Sequence, residues 1–373
     1  MDSWERSSLL VVIFYLGMLL CTGLASADPN SGGEEKVFVG YVAGMPEDID
    51  YGMYTHLCHA FVVAEKDGSL LPQQDVPSRE LADKAHKSGV KVLLSLGGWG
   101  WDSNFAEMSL DPNAEARYVK AVMELVDKYD YDGIDLDWEY PDTNIEIVGF
   151  ERLSRNFRAL LDKLGEKKDR SMLLTMAAAA HPKTLEWLDR DFLMETMNWV
   201  NVMTYDYAGS WADMAAHHSP LFASSKLPKD DVLSTELTMM YLLDEKGLPA
   251  NRLALGIPLY GRAFAVSEPY SSNVDAPKPK KPAANFSEIY QLLQQEKWKR
   301  WWDDETQTPW LIAPDGSEII CYDDSESIAI KTKWAADEGL RGVFFWQIAA
   351  DRMPDGSNPL QETAREQLLK SNP

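Results

Sequence analysis

Residues 131–140, YDGIDLDWEY, place four carboxylates within ten positions of the chain. Three of them alternate with apolar side chains: Asp135, Asp137 and Glu139 with Ile134, Leu136 and Trp138. If this segment is a β-strand, the three carboxylates leave the same face, about 6 to 7 Å apart along the strand. Their charges then interact, so they cannot all ionise at their ordinary pKa. The apolar alternate face favours a buried strand over a solvated edge strand.

Carboxylates aligned on a buried face predict general acid chemistry. Cleavage of a glycosidic bond needs one carboxylic acid that stays protonated near neutral pH, and burial beside other acids raises a carboxyl pKa in that direction. Glu139 lies nearest the carboxyl end of the segment.

Composition limits the fold and the ligand. The chain has 373 residues, of which 45% are hydrophobic and 11% aromatic, enough for one large domain of the barrel type. A formal net charge of -23 argues against nucleic acid or an anionic membrane surface as partner, and it favours a neutral ligand. The thirteen tryptophans suit a core, platforms for stacked sugars, or both.

The first 27 residues are predicted to be a signal peptide. Residues 9–24 form an uncharged apolar run, and residues 25–27, Ala-Ser-Ala, supply the small-x-small pattern before cleavage. We expect cleavage after Ala27, a secreted protein and no membrane attachment after cleavage. Asp2 and Glu5 offset Arg6 ahead of the run, so an uncleaved membrane anchor is the alternative.

No metal or cofactor is predicted. The six histidines show no ligand spacing, and the glycines of residues 95–101 are interrupted by tryptophans and lack a following Lys-Ser/Thr. Past the predicted cleavage point only Cys58 and Cys321 remain, too far apart for a disulfide framework. Cys58 lies in an apolar run and is expected to be a buried structural thiol.

Strand and helix patterns alternate along the chain. Eight apolar, β-rich runs begin at Val37, Tyr54, Lys91, Tyr131, Ser171, Trp199, Leu253 and Gly342. Helical periodicity occupies most of the intervals: residues 78–88, 113–128, 148–168, 230–245 and 325–338. The alternation predicts an α/β protein, a (β/α)₈ TIM barrel over residues 28–373, with its active site at the carboxyl ends of the strands.

The seventh and eighth predicted strands are too far apart for a single helix. Residues 263–320 contain a Pro- and Lys-rich loop, a helix-like run and strand-like runs. They predict a small α+β insertion, and an insertion after a barrel strand is expected to form a wall of the catalytic cleft.

Four stretches resemble glycoside hydrolase family 18, the chitinases and their relatives. They are DGIDLDWE at 132–139, SLGGW at 95–99, MTYDYAG at 203–209 and Trp346 in the last predicted strand. Their order and spacing agree with that family over essentially all of the chain after residue 27. Gly97 and Gly98 of the second stretch are expected to let backbone approach backbone near the active strand.

The resemblance implies roles for the aligned acids. Glu139 would protonate the leaving sugar's glycosidic oxygen, while the attacking atom would be the carbonyl oxygen of the substrate's own 2-acetamido group, with retention at the anomeric carbon. Asp137 would hydrogen-bond the acetamido N–H. Asp135, deeper, would share a proton with Asp137.

The resemblance also implies substrate-binding residues. Tyr205 would donate its hydroxyl to the acetamido oxygen, Asp206 would contact the sugar at the cleavage point, and Trp346 would form an apolar floor. Met203 is equally consistent with a place in the cleft and with one in the barrel core. Arg262 would either contact the sugar or form an ion pair with an acid. Further cleft candidates are Trp99, Tyr140, Trp211, Tyr41 and Phe61.

The implied function is that of a secreted, monomeric chitinase acting on β-1,4-linked N-acetylglucosamine polymers or oligomers. One alternative is the same mechanism on another N-acetylglucosamine glycan, such as peptidoglycan fragments or N-linked glycans. A second is a non-catalytic chitin-binding lectin. Lectins of this kind usually lack the terminal acid, whereas Glu139 is present here.

Overall fold

A computed structural model describes residues 36–46, 48–71, 75–229, 232–295 and 297–370. The predicted signal peptide lies outside these residues. Within them the strands are β1 (Val37–Ala43), β2 (His56–Ala64), β3 (Leu70–Leu71), β4 (Lys91–Gly97), β5 (Gly133–Asp137), β6 (Leu173–Ala178), β7 (Trp199–Val202), β8 (Leu253–Pro258), β9 (Tyr260–Phe264), β10 (Ala283–Asn285), β11 (Lys299–Asp303), β12 (Thr308–Ile312), β13 (Ile319–Cys321) and β14 (Gly342–Trp346).

Eight of these strands form a closed parallel barrel. They follow the order β1-β14-β8-β7-β6-β5-β4-β2, and β1 pairs with both β14 and β2 to close the ring. The short strand β3 adds to β2 in the antiparallel sense. Every apolar run predicted to be a barrel strand contains one. The predicted (β/α)₈ fold is therefore confirmed.

Helices surround the barrel. They are α1 (Arg79–Lys87), α2 (Asp102–Leu110), α3 (Pro112–Tyr129), α4 (Asn144–Lys168), α5 (Pro182–Leu185), α6 (Arg190–Thr196), α7 (Thr235–Met240), α8 (Phe286–Leu293), α9 (Ser325–Asp337) and α10 (Pro359–Lys370). Short 3₁₀ turns occupy Tyr51–Met53, Ala250–Arg252 and Ile348–Asp351, and a π-helical turn, Tyr241–Glu245, continues α7. No helix in the described part of the chain is long and apolar enough to cross a membrane.

Helix α4 begins four residues earlier than the apolar periodicity predicts, at Asn144 instead of residue 148. The Thr143 hydroxyl accepts the Glu146 N–H, and the Glu146 carboxylate accepts the Thr143 N–H. This capping box satisfies amide groups at the helix start that have no intrahelical partner. By starting the helix early, it also shortens the connection between the end of β5 and the start of α4.

The alternation within β5 divides its side chains between two layers. Ile134 and Leu136 pack in the cluster that includes apolar side chains of the surrounding helices, and both are almost completely buried. Asp135 faces the barrel interior, where the hydroxyl of Tyr41 from β1 contacts it. The strand is therefore buried on both faces, as the sequence predicted, and its carboxylates are enclosed by the barrel.

The insertion between the last two barrel strands is a second sheet with one helix. Its antiparallel strands follow the order β10-β9-β13-β12-β11, and α8 follows β10 directly. Strand β9 starts two residues after β8 ends, so the sheet continues from the carboxyl end of a barrel strand. The predicted α+β insertion is confirmed, with its strands running from Tyr260 to Cys321.

A buried ion pair joins α9 to the segment that follows this insertion. The Lys331 ammonium lies 2.7 Å from the Asp323 carboxylate, and neither side chain is exposed. Lys331 also donates to the Ser219 hydroxyl, in the segment after β7. Because an unpaired buried charge is strongly destabilising, each partner depends on the other.

We predict that Asp323→Ala lowers the free energy of unfolding by about 3–5 kcal/mol, because it leaves the Lys331 ammonium buried without its counter-ion. Urea denaturation measures this loss. Asp337→Ala is the matched control, since it removes an exposed partner of Lys333 on the same helix and is expected to cost less than about 1 kcal/mol. Equal losses in the two variants would contradict the assignment.

Candidate active site

Asp135 lies at the base of the site and is completely buried. One carboxylate oxygen accepts hydrogen bonds from the hydroxyls of Tyr41 and Ser95, both at 2.8 Å. The other accepts from the Thr175 hydroxyl at 2.6 Å and the Asn201 amide at 3.3 Å. Burial raises the pKa of Asp135, and these four donors oppose the rise. Four other barrel strands therefore hold this carboxylate in place.

The Trp199 side chain sets the orientation of the Asn201 side-chain amide. The Trp199 indole N–H donates to the Asn201 side-chain oxygen at 2.8 Å. Since an indole nitrogen can only donate, the Asn201 amide must present its oxygen to Trp199 and its NH₂ group to Asp135 and to the Tyr41 hydroxyl. Asn201 was not predicted from the sequence to be a site residue, although it is a polar residue within the apolar run that forms β7.

Asp137 lies above Asp135 on the same strand and is 3% exposed. Burial raises its pKa well above the ordinary value, and the negative charges of Glu139 and Asp135 raise it further. Its Oδ1 atom is buried and has no hydrogen-bond partner within the described part of the chain. Asp137 also lines the cleft, so it is available to hydrogen-bond a ligand.

Glu139 follows the end of β5 and lines the same cleft. Burial raises its pKa from 4.5 to about 7, and the negative charge of Asp206 adds to the rise. The Tyr140 hydroxyl donates to Glu139 at 3.1 Å and opposes that rise. A carboxylic acid with this pKa is protonated in a large fraction of molecules at neutral pH, as a general acid requires.

Asp206 remains anionic because of its partners. The Arg262 guanidinium donates two hydrogen bonds to its carboxylate, at 2.8 and 2.6 Å, and a ring nitrogen of His218 lies 3.5 Å from it. Burial alone would raise the pKa of Asp206, but these two partners hold it well below the ordinary value. Of the two roles predicted for Arg262, the structure shows the ion pair. Its guanidinium also stacks on the rings of Trp211 and Tyr260.

Aromatic side chains form much of the cleft wall. The cavity has a volume of about 1210 Å³ and is lined by Trp346, whose ring stacks on Phe61 with the ring centroids 5.6 Å apart. Trp99 and Trp211 are 77% and 58% exposed. Tyr205 lies beside Tyr260, with ring centroids 6.2 Å apart. Flat apolar surfaces of this kind suit the C–H faces of a pyranose.

Gly97 permits β4 to approach β5 closely beside the site. Its φ is 118°, and a Cβ atom there would lie 2.2 Å from the carbonyl oxygen of Asp137. The Gly98 N–H donates to that same oxygen at 2.8 Å. The predicted backbone approach is therefore present at Gly97, whereas a Cβ atom at Gly98 would meet the Phe61 ring.

The cleft brings together nearly all of the predicted site residues. Those that line it are Tyr41, Phe61, Trp99, Asp137, Glu139, Tyr140, Met203, Tyr205, Asp206, Trp211, Arg262 and Trp346. Asp135 lies beneath the lining. Tyr41 is 1% exposed and its hydroxyl is directed to Asp135, so it supports the acids more than it offers a surface to a ligand. Met203 is both a core residue and a lining residue.

Several lining residues were missed in the sequence: Trp101, His181, Tyr260, Asn285, Glu288 and Gln347. Tyr260 could have been predicted from the sequence, because it lies two positions before Arg262 and therefore shares its face of a strand, here β9. Asn285 and Glu288 come from the insertion, which confirms that it contributes a wall of the cleft.

Comparisons with known proteins identify the family of the chain. The sequence profile described as glycosyl hydrolases family 18 matches residues 36–351. "Probable chitinase 2" of Drosophila melanogaster is 30% identical over 355 residues, which are 87% of this chain and 71% of that protein. "Chitinase A1" of Niallia circulans is 28% identical over 301 residues, which are 74% of this chain and 43% of that protein.

A solved structure gives the same result for the fold. A variant of a GH18 chitinase from Cycas revoluta, in complex with (GlcNAc)4, superposes with a TM-score of 0.77 at 27% identity, covering 89% of this chain and 99% of that one. The profile match extends over most of the chain and includes every barrel strand. The chain therefore belongs to glycosyl hydrolases family 18 and is a glycoside hydrolase.

Proposed function

We propose that this protein is a chitinase, which hydrolyses β-1,4-linked N-acetylglucosamine polymers or oligomers with retention at the anomeric carbon. The observation that carries the proposal is the pair formed by Glu139, with a pKa of about 7, and Asp137, with a buried unpaired oxygen in the same cleft. The similarity to a chitinase in complex with (GlcNAc)4 supports the substrate class.

Glu139 is the proton donor in this proposal. Its protonated carboxyl transfers a proton to the glycosidic oxygen as the bond to the leaving sugar breaks, and its carboxylate later accepts a proton from water. Asp206 is unsuited to act as a nucleophile, since Arg262 occupies both of its oxygens. The resemblance to the chitinases of glycosyl hydrolases family 18 implies that the attacking atom is the carbonyl oxygen of the substrate's own 2-acetamido group.

Asp137 and Tyr205 hold that acetamido group. The free oxygen of Asp137 accepts its N–H, and the Tyr205 hydroxyl donates to its carbonyl oxygen. As positive charge develops on the cyclic intermediate, the ionised form of Asp137 becomes favourable, and Asp135 is the neighbouring carboxylate that takes up its proton. Trp346 supports the apolar face of the same sugar.

The surroundings of the site favour a neutral polysaccharide outside the cell. Exposed tryptophans of the cleft give stacking surfaces for further sugars, and the formal charge of -23 disfavours anionic polymers. The apolar run of residues 9–24 and the following Ala-Ser-Ala support secretion. A secreted monomer that needs no cofactor is the form we propose.

Replacing Glu139 with Gln should lower kcat on N-acetylglucosamine oligomers by about 10²–10⁴-fold, because the amide cannot donate the required proton. Binding of the same oligomers, measured by calorimetry, should change little. Glu166→Gln, an exposed change on α4, is the matched control and should behave as wild type. Equal turnover of a fully deacetylated polymer by the wild-type enzyme would contradict attack by the acetamido group.

The pH profile should report Glu139 directly. Because its protonated form is the active one, kcat should fall as the pH rises through about 7. Asp206→Asn removes a negative charge that raises the pKa of Glu139, so this alkaline limb should move to lower pH. Asp191→Asn, at an exposed position, should leave the limb in place. A limb that stays fixed in Asp206→Asn would exclude the coupling.

Asn201→Asp tests the support beneath the acids. The new side chain keeps an oxygen that can accept the Trp199 N–H, but it replaces the amide group that donates to Asp135 with a carboxylate. We expect kcat to fall roughly tenfold or more, equivalent to about one pKa unit of interaction, with little change in KM. The added negative charge should also raise the pKa of Asp135, so that activity is lost at a higher pH on acidification than in the wild type. A change in KM alone would assign Asn201 to substrate binding instead.

A further inference from the structure

Residues 285–287, Asn-Phe-Ser, form the single N-x-S/T sequence with x other than proline in the 373-residue chain. This sequence is the acceptor for N-linked glycans in proteins that enter the secretory pathway. Its presence alone is a weak signal, because many such sequences are never modified. Its place in the fold decides whether a glycan is compatible with the folded protein.

The fold leaves the acceptor residue accessible. Asn285 is the last residue of β10 and is exposed, whereas Phe286, the first residue of α8, is buried and anchors the junction. The Asn285 backbone N–H donates to the Glu288 carboxylate at 3.0 Å. The backbone is therefore fixed while the side chain remains at the surface.

Asn285 is also part of the catalytic cleft wall. It lines the cavity together with Lys281 and Glu288, which form an ion pair with each other. In the antiparallel pairing of β10 with β9 it lies opposite Tyr260, so their Cα atoms are about 4.5–5.5 Å apart and their side chains share a face. Tyr260 in turn contacts Tyr205. A glycan on Asn285 therefore starts beside the substrate-binding surface.

We propose that Asn285 carries an N-linked glycan and that this glycan extends the cleft wall on the insertion side. The inference rests on the proposed secretion. In the modification, the Asn285 amide nitrogen forms a bond to the anomeric carbon of a lipid-diphosphate-linked oligosaccharide. The bond from that carbon to the diphosphate breaks, the lipid diphosphate leaves with the electron pair, and the amide releases one proton.

The glycan has a consequence for substrate length. A bulky, hydrated chain at the insertion side occupies space that a long polysaccharide needs as it continues beyond the sugars bound near Glu139. Short oligomers bound beside Glu139 are expected not to extend as far as this glycan. Glycosylation at Asn285 is therefore expected to weaken the binding of long substrates selectively.

The modification is tested by producing the full chain in a eukaryotic secretory host. Ser287→Ala removes the acceptor sequence without altering Asn285, and Ser287→Thr keeps it and serves as the matched control. We expect the wild type and Ser287→Thr to gain the mass of one glycan, which an amidase removes while converting Asn285 to Asp. Ser287→Ala should be secreted without that mass.

The outcomes separate this inference from the secretion on which it rests. Secreted wild-type protein with unmodified Asn285 overturns the inference and leaves secretion intact. Protein retained in the cell without a glycan contradicts the proposed secretion and this inference with it. A glycan that persists in Ser287→Ala would place the modification elsewhere and also overturns the assignment.

The effect on substrate length is measured on the same secreted proteins. For a hexasaccharide of N-acetylglucosamine, we expect Ser287→Ala to show a roughly tenfold lower KM than Ser287→Thr, whereas the trisaccharide KM should be equal in the two. Equal KM values for both substrates would show that the glycan does not form part of the cleft wall.

Discussion

Enclosing two carboxylates of a barrel strand, and a third just past its end, in one buried site is the constraint on which the rest of the site depends. A buried carboxylate is unfavourable as an anion unless donors or cations compensate it, and neighbouring anions make it worse. The chain meets this constraint differently for each acid. Burial raises the pKa of all three carboxyls: four hydrogen-bond donors oppose the rise at Asp135, whereas neighbouring negative charges add to it at Asp137 and Glu139, so that protons remain on these two acids.

Barrel closure supplies what a single strand cannot. The donors to Asp135 come from β1, β4, β6 and β7, so their side chains meet only when the sheet curves into a ring. The Trp199–Asn201 hydrogen bond then fixes one donor's direction. In the segment after β7, Arg262 keeps Asp206 anionic, and that charge contributes to the high pKa of Glu139. Stability of the barrel and acidity of the site are thus linked.

Much of this was predictable from local pattern. The two-residue period of residues 134–139 identified the acids, and the eight apolar runs identified the barrel. Side-chain partners that lie on different strands were harder to predict from the sequence, because they depend on strand register and barrel curvature. Asn201, Thr175 and Tyr260 belong to this group. The supporting position of Tyr41 and the early start of α4 have the same origin, since each depends on a specific hydrogen bond rather than on apolar periodicity.

Burial among other acids keeps a proton on Glu139 near neutral pH. This protonation is tested most directly by carbon-13 NMR titration of the side-chain carboxyls in the intact protein, with Glu139→Gln used to assign the resonance. The Glu139 carboxyl is expected to titrate with a midpoint near 7, compared with an ordinary pKa of 4.5. A Glu139 carboxyl that titrates near its ordinary value, in a folded and active enzyme, would contradict it.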